Sequence, residues 1–183
     1  MRIAIAGSHG VGKTTLGMHL CEHLKYANPV FHSNLARNLI EEGYPLNMDA
    51  TEASYVQYIT RQLDAERLYK DHTIFVSDRT ILDPLAYAHA NINRGIELVS
   101  PPFVKMMESI WLLESNEYDL YILVPIEFPM PVDGIRPNDE SYRCAVESQM
   151  IRLLHKYNIN YLRVTGRPEE RLHQTITAVQ RYK

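Results

Sequence analysis

The feature that most limits how this chain can fold is a glycine-rich segment close to its start, GSHGVGKTT. It follows a short apolar run and matches the pattern G-x-x-x-x-G-K-[ST]. The glycines allow backbone N–H groups to converge on an anion, Lys13 adds positive charge near the β and γ phosphates, and the Thr14 hydroxyl can join a Mg²⁺ shell. We predict a nucleotide-binding loop between a strand and a helix. Its predicted contacts are Gly7, Ser8, His9, Gly10, Val11, Gly12, Lys13, Thr14 and Thr15.

Length and composition indicate an ordinary globular protein. The 183 residues fit a single domain, residues 1–183, and 45% are hydrophobic while 22% are charged. No apolar run approaches the roughly 18 residues that a membrane-spanning helix needs. The apolar start leads straight into the glycine-rich segment and not into a cleavage site. We therefore expect a cytoplasmic protein without a membrane partner, either a monomer or a homodimer.

The net charge of the chain disfavours a binding site for long nucleic acids, and the positions of its cysteines and histidines give no support for a zinc site. The formal net charge is −3 at pH 7, whereas proteins that grip many phosphates of a long nucleic acid usually have a basic surplus. A small-molecule acceptor is therefore favoured over DNA. Cys21 and Cys144 lack partners at ligand spacing, so we expect buried apolar side chains and no zinc. The eight histidines form no ligand cluster, and His9 is expected to face solvent.

Short apolar runs alternate with amphipathic stretches along the chain, which favours a parallel sheet covered by helices on both faces. The predicted helices include residues 13–26, 35–42 and 51–70, the last capped by Thr51. The segment EFPMPVDGIRPNDES, residues 127–141, is rich in Pro, Asp and Gly, and we predict a mobile lid. The predicted strands are residues 2–6, 30–32, 73–77, 120–124 and 161–164.

Polar residues follow the third predicted strand, and in parallel sheets ligands bind at the carboxyl ends of strands. Asp78 is expected to hold Mg²⁺ opposite the Thr14 hydroxyl, the alternative being a helix cap. Arg79 can grip a phosphate bidentately or form a salt bridge with a neighbouring acid. Asp83, followed by Pro84, is either a helix N-cap or a residue that orients the substrate.

Three arginines and an aromatic stripe are further candidates. Arg136, on the predicted lid, can neutralise the charge of a migrating phosphoryl group. For Arg143 in the following helix, the sequence favours neither a role in phosphoryl transfer nor a purely structural role. Arg167 follows the fifth strand, where backbone groups would meet the adenine or form a plain strand-to-helix turn. Tyr58 belongs to a stripe at helical spacing that we expect to be mostly core, although one aromatic ring can stack on a base. The stripe comprises Tyr55, Tyr58 and Gln62.

The ordered set GSHGVGKTTL, SDRTILDPLAYA and YDLYILVP with DGIRPND resembles the nucleoside and nucleotide kinases among the phosphate-loop (P-loop) proteins. The subgroup it is most similar to contains nicotinamide-riboside kinase domains and many bacteriophage kinases. The resemblance implies a three-layer α/β fold with a five-stranded parallel sheet in the order 2-3-1-4-5. It also implies a lid that closes over ATP, and the roles described above for Asp78, Arg79, Asp83 and Arg136.

The chain departs from this subgroup just after the second strand. Members commonly have Glu-x-Ala-Arg there, whereas this chain has Asn34-Leu35-Ala36-Arg37. Asn34 cannot accept a proton as a general base. A kinase of hydroxyls would then use Asp78 as its base as well as its metal ligand, or would need little help from a base. A phosphate acceptor needs no base, which favours a nucleotide acceptor. Arg37, together with Arg61 and Arg67, then contacts the acceptor phosphate or forms surface salt bridges.

Together these features predict a phosphotransferase that uses ATP and Mg²⁺. The acceptor is a nucleotide or nucleoside, with a (deoxy)nucleoside monophosphate preferred, and Asn34, Arg37, Asp83 and Tyr58 are its predicted binding residues. One alternative is a kinase of a hydroxymethylated pyrimidine base in phage DNA, which the acidic balance disfavours. The other is a regulatory NTPase that has no acceptor.

Overall fold

The computed structural model describes residues 1–129 and 139–182. Single-turn 3₁₀ helices occur at Lys25–Ala27 and Asn47–Asp49. The other elements are β1 (Arg2–Ala6), α1 (Lys13–His23), β2 (Val30–His32), α2 (Leu35–Glu41), α3 (Glu52–Leu68), β3 (Phe75–Asp78), α4 (Leu82–Asn93), α5 (Pro101–Ser115), β4 (Leu120–Leu123), α6 (Glu140–Lys156), β5 (Tyr161–Arg163) and α7 (Pro168–Gln180).

The strands form one parallel sheet in the order β2-β3-β1-β4-β5, which confirms the expected order. Ile5 of β1 pairs with Asp78 at the end of β3. Because the carboxyl ends of parallel strands meet at one edge of the sheet, the glycine-rich segment after β1 and the acidic end of β3 are neighbours. This pairing brings together two motifs that are far apart in sequence.

The predicted elements match the structure with small shifts at their ends. β1 and β2 have the predicted bounds, whereas β3 begins two residues later than predicted and extends to Asp78. The first helix ends at His23, and a separate turn continues the chain to Ala27. Thr51 caps α3 as predicted, since its side chain accepts a hydrogen bond from the Ser54 N–H at 3.3 Å.

Helices cover both faces of the sheet, giving the expected three layers. The alternation of side chains along β1 places Ala4 and Ala6 on the face that packs against α4, α5 and α6, while Ile3 and Ile5 face α1 and α7. Helix α4 is almost completely buried between the sheet and its neighbours. The first turn of α4 is therefore held rigidly next to the carboxyl end of β3.

Helix α1 lies very close to β2. Gly17 faces the ring of Phe31, and a Cβ atom at position 17 would overlap that ring. Only glycine allows this approach, so Gly17 sets the distance between α1 and the edge of the sheet. Within the described residues, none of the helices has the length and apolar character needed to cross a bilayer.

Candidate functional site

The glycine-rich segment, which we call the phosphate loop (residues 7–14), connects β1 to α1. Gly12 is the N-cap of α1 and has a φ angle of 94°, a left-handed conformation that favours glycine. The Lys13 side chain is buried and folds back over the loop, where its Nζ donates to the carbonyls of Gly7 and Ser8, each at 2.7 Å. A positive charge is thus fixed at the N-terminus of a helix, where anions bind.

The two predicted Mg²⁺ ligands are in direct contact. The Thr14 hydroxyl donates a hydrogen bond to Oδ2 of Asp78. The Asp78 side chain is buried, and its Oδ1 has no hydrogen-bond partner among the described residues. A hydroxyl and a carboxylate are hard oxygen donors, which Mg²⁺ prefers. The residues present therefore fit a magnesium ion.

Arg79 follows β3 in a strained backbone conformation. Its φ angle is 92°, which is uncommon for a residue other than glycine. The Arg79 N–H donates to the Ile5 carbonyl at 3.0 Å, and its carbonyl accepts from the Ser77 hydroxyl at 2.7 Å. Burial acts to lower the pKa of Arg79, but Tyr87, Asp83, Tyr58 and Asp78 together outweigh burial and raise the pKa. Arg79 therefore stays cationic.

Asp83 holds Arg79 in place. Its Oδ1 accepts from Nη1 of Arg79 at 3.4 Å, and its Oδ2 accepts from the Thr80 N–H at 3.0 Å. Helix α4 begins at Leu82, so Asp83 lies inside the first turn and is not the N-cap that was one of its two open alternatives, although the carboxylate still binds a backbone N–H ahead of the helix. Burial raises the pKa of Asp83, opposed by the charge of Arg79.

A cavity of about 460 Å³ lies between α2, α3, α4 and the phosphate loop. The proposed Mg²⁺ ligands Thr14 and Asp78, and Arg79, line this cavity. Glu41, which the sequence did not indicate, and Tyr87, which lies in the SDRTILDPLAYA segment but had no predicted role, also contribute to its wall. The predicted acceptor residues all line the same cavity: Asn34, Arg37, Tyr58 and Asp83. The structure thus brings the predicted metal and acceptor residues together.

The aromatic stripe of α3 is buried as expected, and part of it also lines the cavity. The hydroxyls of Tyr55 and Tyr58 are buried and have no hydrogen-bond partner among the described residues. Burial raises the pKa of Tyr58 well above its usual value, so the hydroxyl stays protonated. Gln62 has a different role, because its Nε2 donates to Glu66 at 2.8 Å and to Ser77 at 3.0 Å.

Two expectations about burial are wrong. His9 is only 3% exposed, and its Nδ1 is hydrogen-bonded to the Tyr87 hydroxyl at 2.9 Å. The rings of Tyr87 and Tyr142 cover this side of the phosphate loop, so His9 does not face solvent. Cys144 is exposed, because the buried face of α6 is formed by other residues, and Cys21 is partly buried.

The remaining predicted residues either lie away from the cavity or fall outside the described part of the chain. Residues 130–138 of the predicted lid, including Arg136, lie outside the described residues. Arg167 is exposed before α7, and its N–H donates to Glu170 at 2.7 Å, which supports the helix start. Arg61 forms a bidentate salt bridge with Glu42 at 2.7 and 2.5 Å, which confirms the surface salt bridge considered for it.

Two buried arginines contact the phosphate loop from outside the cavity. Nε of Arg143 donates to the His9 carbonyl at 3.0 Å, and Nη1 of Arg171 donates to the Val11 carbonyl at 2.6 Å. Arg143 was an open candidate in the sequence, whereas Arg171 lies in no motif. Only the folded arrangement of α6 and α7 around the loop indicates its position.

No curated protein matches this sequence, but several solved structures share its fold. The NadR protein in complex with NR is 20% identical with a TM-score of 0.76, and the match covers 99% of this chain and 51% of that one. The chain thus spans about half the length of the NadR structure. A deoxyadenosine kinase from M. mycoides, with its products dCMP and dCDP bound, is 14% identical with a TM-score of 0.72 over 99% of this chain and 100% of that chain.

A thymidylate kinase from Ehrlichia chaffeensis is 16% identical with a TM-score of 0.68, and the match covers 98% of each chain. At the level of fold, these likenesses confirm the resemblance to nucleoside and nucleotide kinases. In sequence, a family model described as an AAA domain matches residues 2–171, nearly the whole chain, and the protein therefore belongs to the AAA domain family.

Proposed function

We propose that this protein is a kinase that transfers the γ phosphate of ATP, with Mg²⁺, to a nucleoside or nucleotide. One observation is the main support. The hydrogen-bonded pair Thr14 and Asp78 lies in the wall of the same cavity as the predicted acceptor residues. A donor phosphate at the loop and an acceptor in the cavity would be adjacent, and such positioning is the main contribution of proteins to phosphoryl transfer.

Each residue has a defined task in this proposal. Lys13 and the N–H groups of the phosphate loop bind the β and γ phosphates, and Thr14 and Asp78 hold the metal. When bound, Mg²⁺ neutralises charge on the phosphate oxygens. Arg79 contacts the acceptor end of the transfer, and its ion pair with Asp83 fixes its direction. Arg136, in the segment that the sequence predicts to be a lid, is proposed to contact the transferring group.

The acceptor that we prefer within this class is a nucleoside monophosphate. Asn34 lines the cavity in place of the carboxylate that a hydroxyl acceptor would use as a base. Arg37 also lines it and makes no ion pair with any described residue, so its charge is available for an acceptor phosphate.

A nucleoside is the second candidate, and Glu41 is the observation that favours it. Glu41 also lies in the cavity wall and offers a carboxylate to a hydroxyl acceptor. Solved proteins of this fold are named for a nucleoside, deoxyadenosine, and for a nucleotide, thymidylate. The fold is therefore compatible with either acceptor.

The deciding experiment follows the label from γ-labelled ATP with Mg²⁺. The acceptors are nucleosides, nucleoside monophosphates, nicotinamide riboside and duplex DNA containing hydroxymethylated pyrimidine. We expect label on one monophosphate. Label on a nucleoside alone would support the second candidate, and label on the DNA alone would show a DNA kinase. Release of free phosphate with no labelled product would contradict the proposed kinase and indicate an NTPase.

Three variants test the assignment of residues. Asp78→Asn should lower kcat by roughly a hundredfold or more, because the metal contact matters most in the transition state. Arg37→Ala should raise the KM of a monophosphate acceptor about tenfold and leave the KM of ATP unchanged. The matched control is Arg61→Ala, which removes an arginine paired with Glu42 on the protein surface. The control should behave as wild type.

A further inference from the structure

All the carbonyl oxygens of the phosphate loop from Gly7 to Gly12 accept hydrogen bonds. Lys13 binds the first two, and the Leu16 N–H binds the Gly12 carbonyl at 3.0 Å as part of α1. Arginines bind the three between them. Arg143 donates to the carbonyls of His9 at 3.0 Å and Gly10 at 3.4 Å, and Arg171 donates to that of Val11 at 2.6 Å.

Arg143 and Arg171, which we call the arginine pair, are themselves firmly held. They are 1% and 5% exposed. Glu140 accepts from Nη1 of Arg143 at 2.9 and 3.1 Å, and Glu127 accepts from Nη2 of Arg171 at 2.7 Å. Each guanidinium thus has a carboxylate on one side and at least one loop carbonyl on the other, which compensates its burial. Leaving the loop would cost each side chain at least one charge-assisted hydrogen bond to a loop carbonyl.

The position of these carbonyls determines where the loop N–H groups point. In a planar trans peptide the C=O of one residue and the N–H of the next lie on opposite sides. The carbonyls of residues 9–11 point toward α6 and α7, where the arginine pair lies. The N–H groups of residues 10–12 therefore point the other way. These are groups of the glycine-rich motif that are expected to surround a phosphate.

We propose that Arg143 and Arg171 are positioning residues that hold the phosphate loop in its binding conformation before a nucleotide arrives. They act through the loop carbonyls from the outer side and do not touch the nucleotide. Because fewer conformations need to be lost on binding, this arrangement increases affinity for the polyphosphate. The inference rests on the part of the proposed function that concerns nucleotide binding, and it is independent of the acceptor.

The test measures the Kd of Mg²⁺–ATP and of Mg²⁺–ADP by calorimetry without any acceptor. The variants are Arg143→Met and Arg171→Met, which keep an unbranched apolar side chain. Arg152→Met is the control, because Arg152 is an exposed residue of α6 that bonds Gln149. Each of the two Met variants should raise the Kd of Mg²⁺–ATP and the Kd of Mg²⁺–ADP by the same factor, about tenfold, because a charged hydrogen bond to the loop is lost. The control should bind as wild type.

Equal weakening is the diagnostic result, because ATP and ADP share the β phosphate that the loop surrounds. Loss of ATP affinity with normal ADP affinity would show direct contact with the γ phosphate and overturn the proposal. An unchanged Kd in the folded fraction, with only a lower melting temperature, would show a purely structural role and also overturn it.

Two further measurements keep the test decisive if a Met variant folds poorly. Arg171→Lys retains a donor for the Val11 carbonyl and should recover part of the lost affinity, whereas no recovery would count against the proposal. Amide hydrogen exchange of residues 8–12 should be faster in Arg143→Met than in Arg152→Met, and equal rates would contradict the proposal. Because no acceptor is present, failure of the kinase proposal would leave these results unchanged.

Discussion

Arg79 combines a functional side chain with an unfavourable backbone. Its left-handed conformation is held by hydrogen bonds to Ile5 and Ser77, and its guanidinium is paired with Asp83. A side chain at such a φ angle costs on the order of 1–3 kcal/mol. The protein tolerates this cost at the position where the proposed chemistry requires a cation next to the Asp78 carboxylate.

Substitution of Arg79 can separate backbone strain from side-chain chemistry. Arg79→Gly and Arg79→Ala both remove the ion pair with Asp83, but only the glycine variant also removes the strain. We expect Arg79→Gly to be more stable than Arg79→Ala by about 1 kcal/mol, after allowing for the extra freedom of glycine in the unfolded chain. The free energy of unfolding in urea checks this order. Equal or greater stability of the alanine variant would contradict it.

Individual site residues differ in how well the sequence predicted them. Lys13, Thr14 and Asp78 lie together at the carboxyl ends of β1 and β3 as predicted, because their positions depend on local spacing and on the ends of strands. His9 was placed wrongly, since its burial depends on Tyr87, which is 78 positions away. Arg171 was missed for the same reason, because its contact with Val11 spans 160 positions. Patterns within one segment contain no information about such partners.

At the level of elements, the contact between α3 and α5 contains two acidic side chains. Glu66 of α3 is buried and accepts hydrogen bonds from the Tyr118 hydroxyl at 2.6 Å and from Gln62 at 2.8 Å. The pKa of Glu114 on α5 is raised from 4.5 to about 7. Burial is the largest cause, and a hydrogen bond with Glu66 and repulsion from its charge add to it. Glu114 therefore binds its proton more tightly in the folded chain than in the unfolded chain.

This difference predicts how stability depends on pH. The contribution of the Glu114 proton is fully present below pH 4.5 and is lost as the pH rises toward about 7. Glu114→Gln should match wild type near pH 4 and exceed it near pH 8 by roughly 1 kcal/mol, a value reduced because Glu114 is partly exposed. Unfolding by urea at several pH values measures this. A variant that is less stable than wild type at pH 8 would contradict it.

Element types were predicted better than element ends. The alternation of apolar and amphipathic segments predicted the helices and strands that surround the site, and the parallel direction followed from it. The ends depend on individual hydrogen bonds. For example, Asp83-Pro84 is a typical helix start, but α4 begins at Leu82, whose N–H donates to the Thr80 hydroxyl while the Asp83 carboxylate accepts from the Thr80 N–H.

At the level of the whole molecule, nucleotide binding should stabilise the fold. Binding at 100 times the Kd adds about 2.7 kcal/mol, which for a domain of this size raises the melting temperature by roughly 5–10 °C. We expect Mg²⁺–ATP to produce this shift in the wild type and not in Lys13→Ala. Adenosine, which lacks phosphates, is the control, and any shift it produces should be the same in the wild type and in Lys13→Ala. An equal shift in the Lys13 variant would show that binding does not depend on the phosphate loop.

The arrangement of the whole sheet was not predicted from residue patterns. The strand order followed from the resemblance to kinases, because pairing between distant strands is not encoded in any single segment. Once the strand order is known, the relative positions of the site residues can be deduced from it. β1 is adjacent to β3, and this pairing places the loop hydroxyl of Thr14 against Asp78.

The close approach of α1 to β2 has a consequence for redesign of this protein. Gly17 is the weakest helix former in the middle of α1, about 1 kcal/mol less favourable than alanine, so a library selected for helix strength would replace it early. An added methyl group would meet the ring of Phe31 and push α1 outward. Because the same helix begins at Lys13, the displacement would reach the phosphate loop. Whether a substitution at position 17 is tolerated would therefore depend on how well the phosphate loop keeps its position, and not on how stable the helix is.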